Sequence, residues 1–171
     1  MKTTVFLFHP NFNESNVNKA LAKAAQDANV EVRNVYELYS NGIIDVEAEQ
    51  KALEAADRIV LQFPMYWYSS PALLKQWEDD VFQYGWAYGS TGTALHGKEL
   101  LVATSTGAQA DDYTGAGKFE ITVEELLAPF KTTCKMIGVK WLPPFVTNGA
   151  LGIEEQRLGA AAKDYVGRLQ G

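Results

Sequence analysis

Residues 3–21 read TTVFLFHPNFNESNVNKAL and decide the class of fold. The run from Thr3 to Phe8 is apolar after its two threonines, as is typical of a central parallel strand that is covered on both faces. Ser15 can then cap a helix whose apolar stripe begins at Val17. The stretch predicts a buried strand, a polar loop and a helix, which together form the first unit of an α/β protein.

The rest of the chain repeats this alternation of strand and helix. Strands are predicted at residues 3–8, 30–38, 58–64, 98–104 and 141–146. Helices are predicted after Ser15, at 46–56, 72–84, 123–136 and 153–169, with Pro71 as the first helical residue of the third and Pro129 kinking or splitting the fourth. Such alternation implies an open, doubly wound parallel sheet, for which we expect the strand order 2-1-3-4-5.

Composition limits the possible classes of protein. With 171 residues, of which 47% are hydrophobic, residues 1–171 are expected to form one domain with its own core. Fifteen Lys and Arg against 21 Asp and Glu give a net charge of −6, which argues against non-specific nucleic-acid binding. The single Cys134 and two histidines argue against a disulfide framework and a metal site, and one reduced thiol suits the cytoplasm. No apolar run is long enough for a membrane span or a signal peptide.

The first loop at a strand end covers residues 9–18. Free N–H groups and the helix dipole at this helix start favour an anion, most simply a phosphate. His9, Ser15, Asn16 and Asn18 can add neutral donors. The alternative is that Ser15 only caps the helix and the asparagines only form turns.

The second loop, residues 63–71, contains the consecutive aromatics Tyr66, Trp67 and Tyr68. Three such residues at a strand end cannot all enter one core, and a flat, amphipathic ring system would suit them. The alternative is that they fill a core or a subunit interface.

The third loop, residues 104–117, has Gly107 at a strand end, where it allows close approach of a ligand to the backbone. The following polar stretch is long for a structureless connection, which favours a functional segment. The alternative is a disordered surface loop.

At these loops the chain resembles the flavodoxin-like NAD(P)H:quinone oxidoreductases, in particular their bacterial branch. Residues 64–75, PMYWYSSPALLK, resemble the family pattern P-[LM]-x-W-[FY]-x-x-P-A-x-[LM]-K. Residues 9 and 15–18 resemble its flavin-phosphate loop, and residues 105–108 with Tyr113 resemble its T-T-G-G…Y segment.

The resemblance implies a flavodoxin-like three-layer fold and a cytoplasmic flavoprotein. It would carry hydride from NADPH or NADH to a quinone or a similar acceptor by a ping-pong mechanism, as a homodimer. FMN is expected as the cofactor because the chain is short, with FAD possible. The alternative is a regulatory subunit of a glutathione-gated potassium efflux system, with a membrane transporter as its partner. A one-electron carrier is the third interpretation.

The resemblance also implies roles for particular residues. Tyr113 would contact the substrate or the flavin and assist catalysis. The residues expected to hold the cofactor are His9, Ser15, Asn16, Val17, Asn18, Pro64, Met65, Tyr66, Trp67, Tyr68, Ser105, Thr106, Gly107, Ala108 and Tyr113. Two positions depart from the pattern. Ala108 replaces its second glycine, and Phe119 stands where the mammalian enzyme has a histidine, so a tyrosine–histidine proton relay is not expected.

Overall fold

One parallel sheet forms the centre of the computed structural model, which describes residues 1–171. Its strands are β1 (Thr3–Leu7), β2 (Glu31–Asn34), β3 (Arg58–Pro64), β4 (Glu99–Ser105), β5 (Lys140–Trp141) and β6 (Phe145–Thr147). The order β2-β1-β3-β4-β5, with β6 also paired to β4, confirms the predicted topology. All pairs are parallel, so the carboxyl ends of the strands meet at one edge of the sheet.

Helices cover both faces of the sheet. They are α1 (Val17–Asp27), α2 (Val35–Leu38), α3 (Val46–Ala55), α4 (Ala72–Val81), α5 (Val123–Leu126), α6 (Ala128–Met136) and α7 (Glu155–Gln170). On one face Val5, Val60 and Leu101 pack against α1 and α7. On the other face, Phe6 and Leu61 pack with residues of α3, α4 and α6. None of these helices combines the length and the apolar character needed to cross a membrane.

Two predicted strands are shorter or interrupted in the structure. The second ends at Asn34 because its partner β1 ends opposite it, at Leu7, and the chain turns into α2 instead. The fifth divides into β5 and β6 around Pro143 and Pro144, which have no N–H to donate to β4.

The predicted starts and breaks of helices mostly agree with the structure. Ser15 Oγ accepts from the N–H of Asn18 at 3.1 Å, as a capping serine does. Thr122 and Glu125 form the reciprocal capping box that begins α5. The helical pattern around Pro129 is split into α5 and α6. Pro71 is a correction: its backbone is extended (ψ 150°), so it precedes α4 rather than opening it.

Candidate functional site

A cavity of about 470 Å³ lies at the edge where the strands end. Four segments line it: the loops after β1, β3 and β4, and residues 150–152 after β6. The cavity walls come from parallel strands that are distant in the sequence, because their carboxyl ends are neighbours in the sheet. The first three segments are the three loops that the sequence predicts as functional.

A larger cavity of about 660 Å³ lies between α1 and the edge strand β2. Two of its three cationic side chains have carboxylate partners, since Lys23 pairs with Asp27 and Arg33 with Glu49, and the third, Lys19, donates to the carbonyl of Asn13 at 3.5 Å. It is therefore less suited to an anionic ligand than the cavity at the strand ends.

The start of α1 presents unpaired donors to the smaller cavity. The backbone N–H groups of Asn16 and Val17 have no acceptor within the protein, whereas that of Asn18 is bonded to Ser15. Unpaired N–H groups at the positive end of an 11-residue helix attract an anion. The carboxylate of Glu14 also lines the cavity, so the electrostatic preference comes from the backbone and not from net positive charge.

His9 adds a neutral donor to this wall. Its Nδ1 accepts from the N–H of Asn11 at 3.1 Å, which leaves the ring proton on Nε2. Burial lowers the pKa of His9 below its ordinary value of 6.5, so the ring is uncharged at neutral pH.

The second and third loops are joined above the sheet. Met65 N–H donates to the carbonyl of Ser105 at 2.8 Å, so Pro64, Met65 and Tyr66 lie next to the end of β4. Beyond Tyr66 the chain reverses in a two-residue hairpin closed by bonds of 3.1 and 3.0 Å between Tyr66 and Ser69. Trp67 and Tyr68 occupy the turn, and neither lines the cavity.

The end of β4 forms the floor of the cavity with the segment after β6. Thr106 N–H donates to the carbonyl of Thr147 at 3.0 Å, and Ala150 N–H donates to that of Thr106 at 2.9 Å. These bonds hold Leu151 opposite Gly107, where a Cβ would lie 3.4 Å from Leu151 Cδ1. The N–H groups of Gly107 and Ala108 have no acceptor within the protein.

Tyr113 does not line the cavity. Its ring packs against Phe119 with centroids 4.9 Å apart, and Phe119 packs against Tyr68 at 5.3 Å. Burial raises the pKa of Tyr113 above its ordinary value, and the neighbouring Tyr68 adds to that shift. Phe119 therefore gives Tyr113 an aromatic contact where the mammalian enzyme has a histidine, and Tyr113 is not part of the cavity wall.

The structure brings together eleven of the residues predicted from the sequence. They are His9, Ser15, Asn16, Val17, Asn18, Pro64, Met65, Tyr66, Ser105, Thr106 and Gly107. The four that it does not bring to the wall are Trp67, Tyr68, Ala108 and Tyr113. Sequence reasoning did not select Asn11, Glu14, Ala150, Leu151 and Gly152, which also line the cavity. The last three follow the final strand in the glycine-containing run TNGALG, residues 147–152, which the same strand-end rule could have indicated.

The hairpin at Trp67 and Tyr68 has an unusual backbone for its residue types. Both have positive φ, 48° and 63°, in a turn that ordinarily favours Asn-Gly. We expect Trp67→Asn to raise the free energy of unfolding by about 1 kcal/mol, because asparagine tolerates this conformation and Trp67 is 92% exposed. Urea denaturation measures the change. Trp67→Ala is the control, since it also removes the indole but does not favour positive φ, and equal stability of the two variants would contradict this explanation.

Comparison with known proteins gives one consistent assignment. The model of a family described as having a flavodoxin-like fold matches residues 1–169. The uncharacterized NAD(P)H oxidoreductase YrkL of Bacillus subtilis (strain 168) is 50% identical over 171 residues, covering 99% of this chain and 98% of that protein. The general stress protein 14 of Treponema denticola, solved in complex with FMN, is 41% identical with a TM-score of 0.95, covering 99% of this chain and 98% of that one. An NADPH-quinone reductase from P. pentosaceus is 31% identical with a TM-score of 0.88 and the same coverage.

Proposed function

The chain belongs to the family with the flavodoxin-like fold, and on this premise we propose how it works as an FMN-dependent NAD(P)H oxidoreductase. The relative that is 50% identical carries the name NAD(P)H oxidoreductase, and the neighbour that is 41% identical binds FMN. We propose a quinone or a similar small molecule as the acceptor. Support for that choice is the 31% identical neighbour described as an NADPH-quinone reductase.

One observation carries the proposal: the unpaired N–H groups of Asn16 and Val17 open into the same cavity as Pro64 to Tyr66 and the end of β4. FMN has a phosphate at one end and a flat ring with a polar edge at the other, so it needs both kinds of wall. The residues present therefore fit this cofactor. FMN, when bound, supplies the chemistry of accepting hydride and passing reducing equivalents on.

The phosphate would be held at the start of α1. Asn16 and Val17 would donate their backbone N–H groups, and Ser15 and His9 would add side-chain donors. Because His9 is neutral, it would bind by hydrogen bonding and not by charge. Val17 and Asn18 would lie along the ribityl chain, with the side-chain amide of Asn18 engaged by Gln62 and Ser105.

The ring would be held between the second and third loops. Pro64, Met65 and Tyr66 would cover it. The unpaired N–H groups of Gly107 and Ala108 would donate to its polar edge, where they stabilise negative charge without having to reorganise. Trp67 and Tyr68 would complete this wall from the rim, where the hairpin holds them.

The donor and the acceptor would use the same opening in turn, which gives ping-pong kinetics. The second and third loops line the cavity at the strand ends, and its wall includes Leu151, which is 84% exposed. The proton taken up by the acceptor would come from water or from Tyr113, whose side chain lies outside the wall of the cavity in this structure.

A homodimer and a cytoplasmic location are further parts of the proposal. The homodimer is supported by the exposed aromatic residues Trp67 and Tyr84, which a second copy of the chain would cover. The location is supported by the free, buried thiol of Cys134. No structural feature favours the alternative of a potassium-efflux subunit, and we do not propose it.

Anaerobic stopped-flow kinetics with the FMN-loaded protein test the proposal. We expect NADPH or NADH to abolish the visible absorbance of the flavin, and a quinone to restore it in a second mixing step. Initial rates at varied concentrations of both substrates should give parallel double-reciprocal lines. Failure of both nicotinamides to react would overturn the oxidoreductase mechanism, whereas reduction without reoxidation by any quinone would overturn only the acceptor.

A further inference from the structure

A chain of buried hydrogen bonds runs from α7 to the cavity wall. The hydroxyl of Tyr165 donates to Gln62 Oε1 at 3.0 Å. Gln62 Nε2 donates to the backbone carbonyl of Asn18 at 2.9 Å and to its Oδ1 at 3.4 Å. Asn18 Nδ2 donates in turn to Ser105 Oγ at 3.0 Å. Tyr165 and Gln62 are fully buried, and only Asn18 and Ser105 line the cavity.

One backbone group determines the direction of every hydrogen bond between Tyr165 and Ser105. The carbonyl of Asn18 can only accept, so the amide of Gln62 must turn its Nε2 towards it. Gln62 Oε1 then faces Tyr165, whose hydroxyl must donate. The second proton on Gln62 Nε2 meets Asn18 Oδ1, which leaves Asn18 Nδ2 facing Ser105.

Burying the side-chain amide of Gln62 at this position brings little stability, so the hydrogen bonds of the amide indicate its role. Gln62 lies in the central strand β3, on the face where Val5, Val60 and Ala103 are apolar. A buried amide gains little stability over an apolar side chain, even when all its hydrogen bonds are made. The position therefore suits a residue that orients its neighbours.

Ser105 is the residue that these hydrogen bonds orient. Its Oγ accepts from Asn18, and its own proton has no acceptor within the protein. We infer that Gln62 is a positioning residue that, through Asn18, fixes the hydroxyl of Ser105 as a hydrogen-bond donor to the cavity. The ligand must then present an oxygen or nitrogen acceptor to Ser105. This inference rests on the proposed function, because FMN is the ligand used to test it.

The test is a double-mutant cycle on FMN affinity, measured by titrating the apoprotein. Ser105→Ala should weaken binding by about three- to tenfold, the usual effect of one neutral hydrogen bond. Gln62→Met should weaken it similarly, because the amide of Asn18 is then free to turn its oxygen to Ser105 and take the proton. In the Ser105→Ala background, Gln62→Met should have no further effect on affinity.

Tyr165→Phe separates positioning from general stability. It leaves Gln62 Oε1 without a donor and should lower the free energy of unfolding in urea. The anchor at the carbonyl of Asn18 remains, so FMN affinity should stay at the wild-type value. A parallel fall in affinity would mean that loss of stability alone explains the Gln62 variant, and would overturn the inference.

Asn18→Asp provides a second route if Gln62→Met does not fold. Its carboxylate has the same shape but accepts from both Gln62 and Ser105, so the proton of Ser105 turns away from the cavity. The same substitution in the Ser105→Ala background measures the effect of the added charge alone. Additive effects in either cycle would overturn the inference. Wild-type protein that does not bind FMN would instead overturn the proposed function, and the inference with it.

Discussion

Replacing Gly107 with valine is expected to weaken FMN binding by about tenfold to a hundredfold, the range that follows from overfilling a packed space by a few methyl groups. Gly107 lies in the cavity wall, and a Cβ there would meet only the side chain of Leu151, at 3.4 and 3.8 Å. Valine would therefore take space between Gly107 and Leu151 without disturbing the core. The φ of Gly107 is outside the left-handed region, so valine can adopt the same backbone conformation and the variant should fold.

Gly115→Val is the matched control for this experiment. Gly115 also follows β4 in the third loop, but a Cβ there would meet nothing within 4 Å, and its φ is not positive. Titration of both apoproteins with FMN, followed by flavin fluorescence, decides the question. Equal affinities in Gly107→Val and Gly115→Val would place the ligand away from this wall.

The strand-end rule explains why much of the candidate site could be predicted from the sequence. Buried strands such as β1 and β3 are mainly apolar runs, so the loops that follow them are easily located. The last strand is predicted at residues 141–146, close to the observed end of β6 at Thr147. The segment after it, residues 150–152, lines the cavity but is not predicted, because only the loops after the first, third and fourth strands are taken as functional.

The orientation of side chains at the rim could not be predicted in the same way. Trp67 and Tyr68 have aromatic side chains that suit a ring-binding wall, but the hairpin with positive φ holds them at the rim, outside the lining of the cavity. Nothing in the residue types indicates such a turn, which ordinarily favours Asn-Gly. The resemblance implies that Tyr113 contacts the substrate or the flavin, but in the structure its ring packs against Phe119, a contact that depends on how a long loop folds back.

The burial of polar side chains could not be predicted from the sequence either. Glu49 lies in a helix that is acidic in its sequence, and such residues are ordinarily solvated. In the structure its carboxylate is completely buried and accepts from Arg33, from the hydroxyl of Tyr39 at 2.7 Å and from Trp77 Nε1 at 3.0 Å. These partners are 10 to 28 residues away along the chain, so no local pattern indicates them.

This buried carboxylate leads to the largest loss of stability that we expect. Glu49→Ala should lower the free energy of unfolding by about 3–5 kcal/mol, because it leaves the charge of Arg33 and the N–H of Trp77 without their acceptor. Trp77 packs against Phe8, with ring centroids 5.4 Å apart, and Phe8 directly precedes His9, so the loss would also loosen the first loop of the cavity. Glu47→Ala is the control. Glu47 is in the same helix, but its side chain is 86% exposed and its only ion pair, with Lys51, is at 3.8 Å. Its removal should therefore change the free energy of unfolding by less than about 0.5 kcal/mol. Urea denaturation of both variants would contradict this account if their midpoints moved by the same amount.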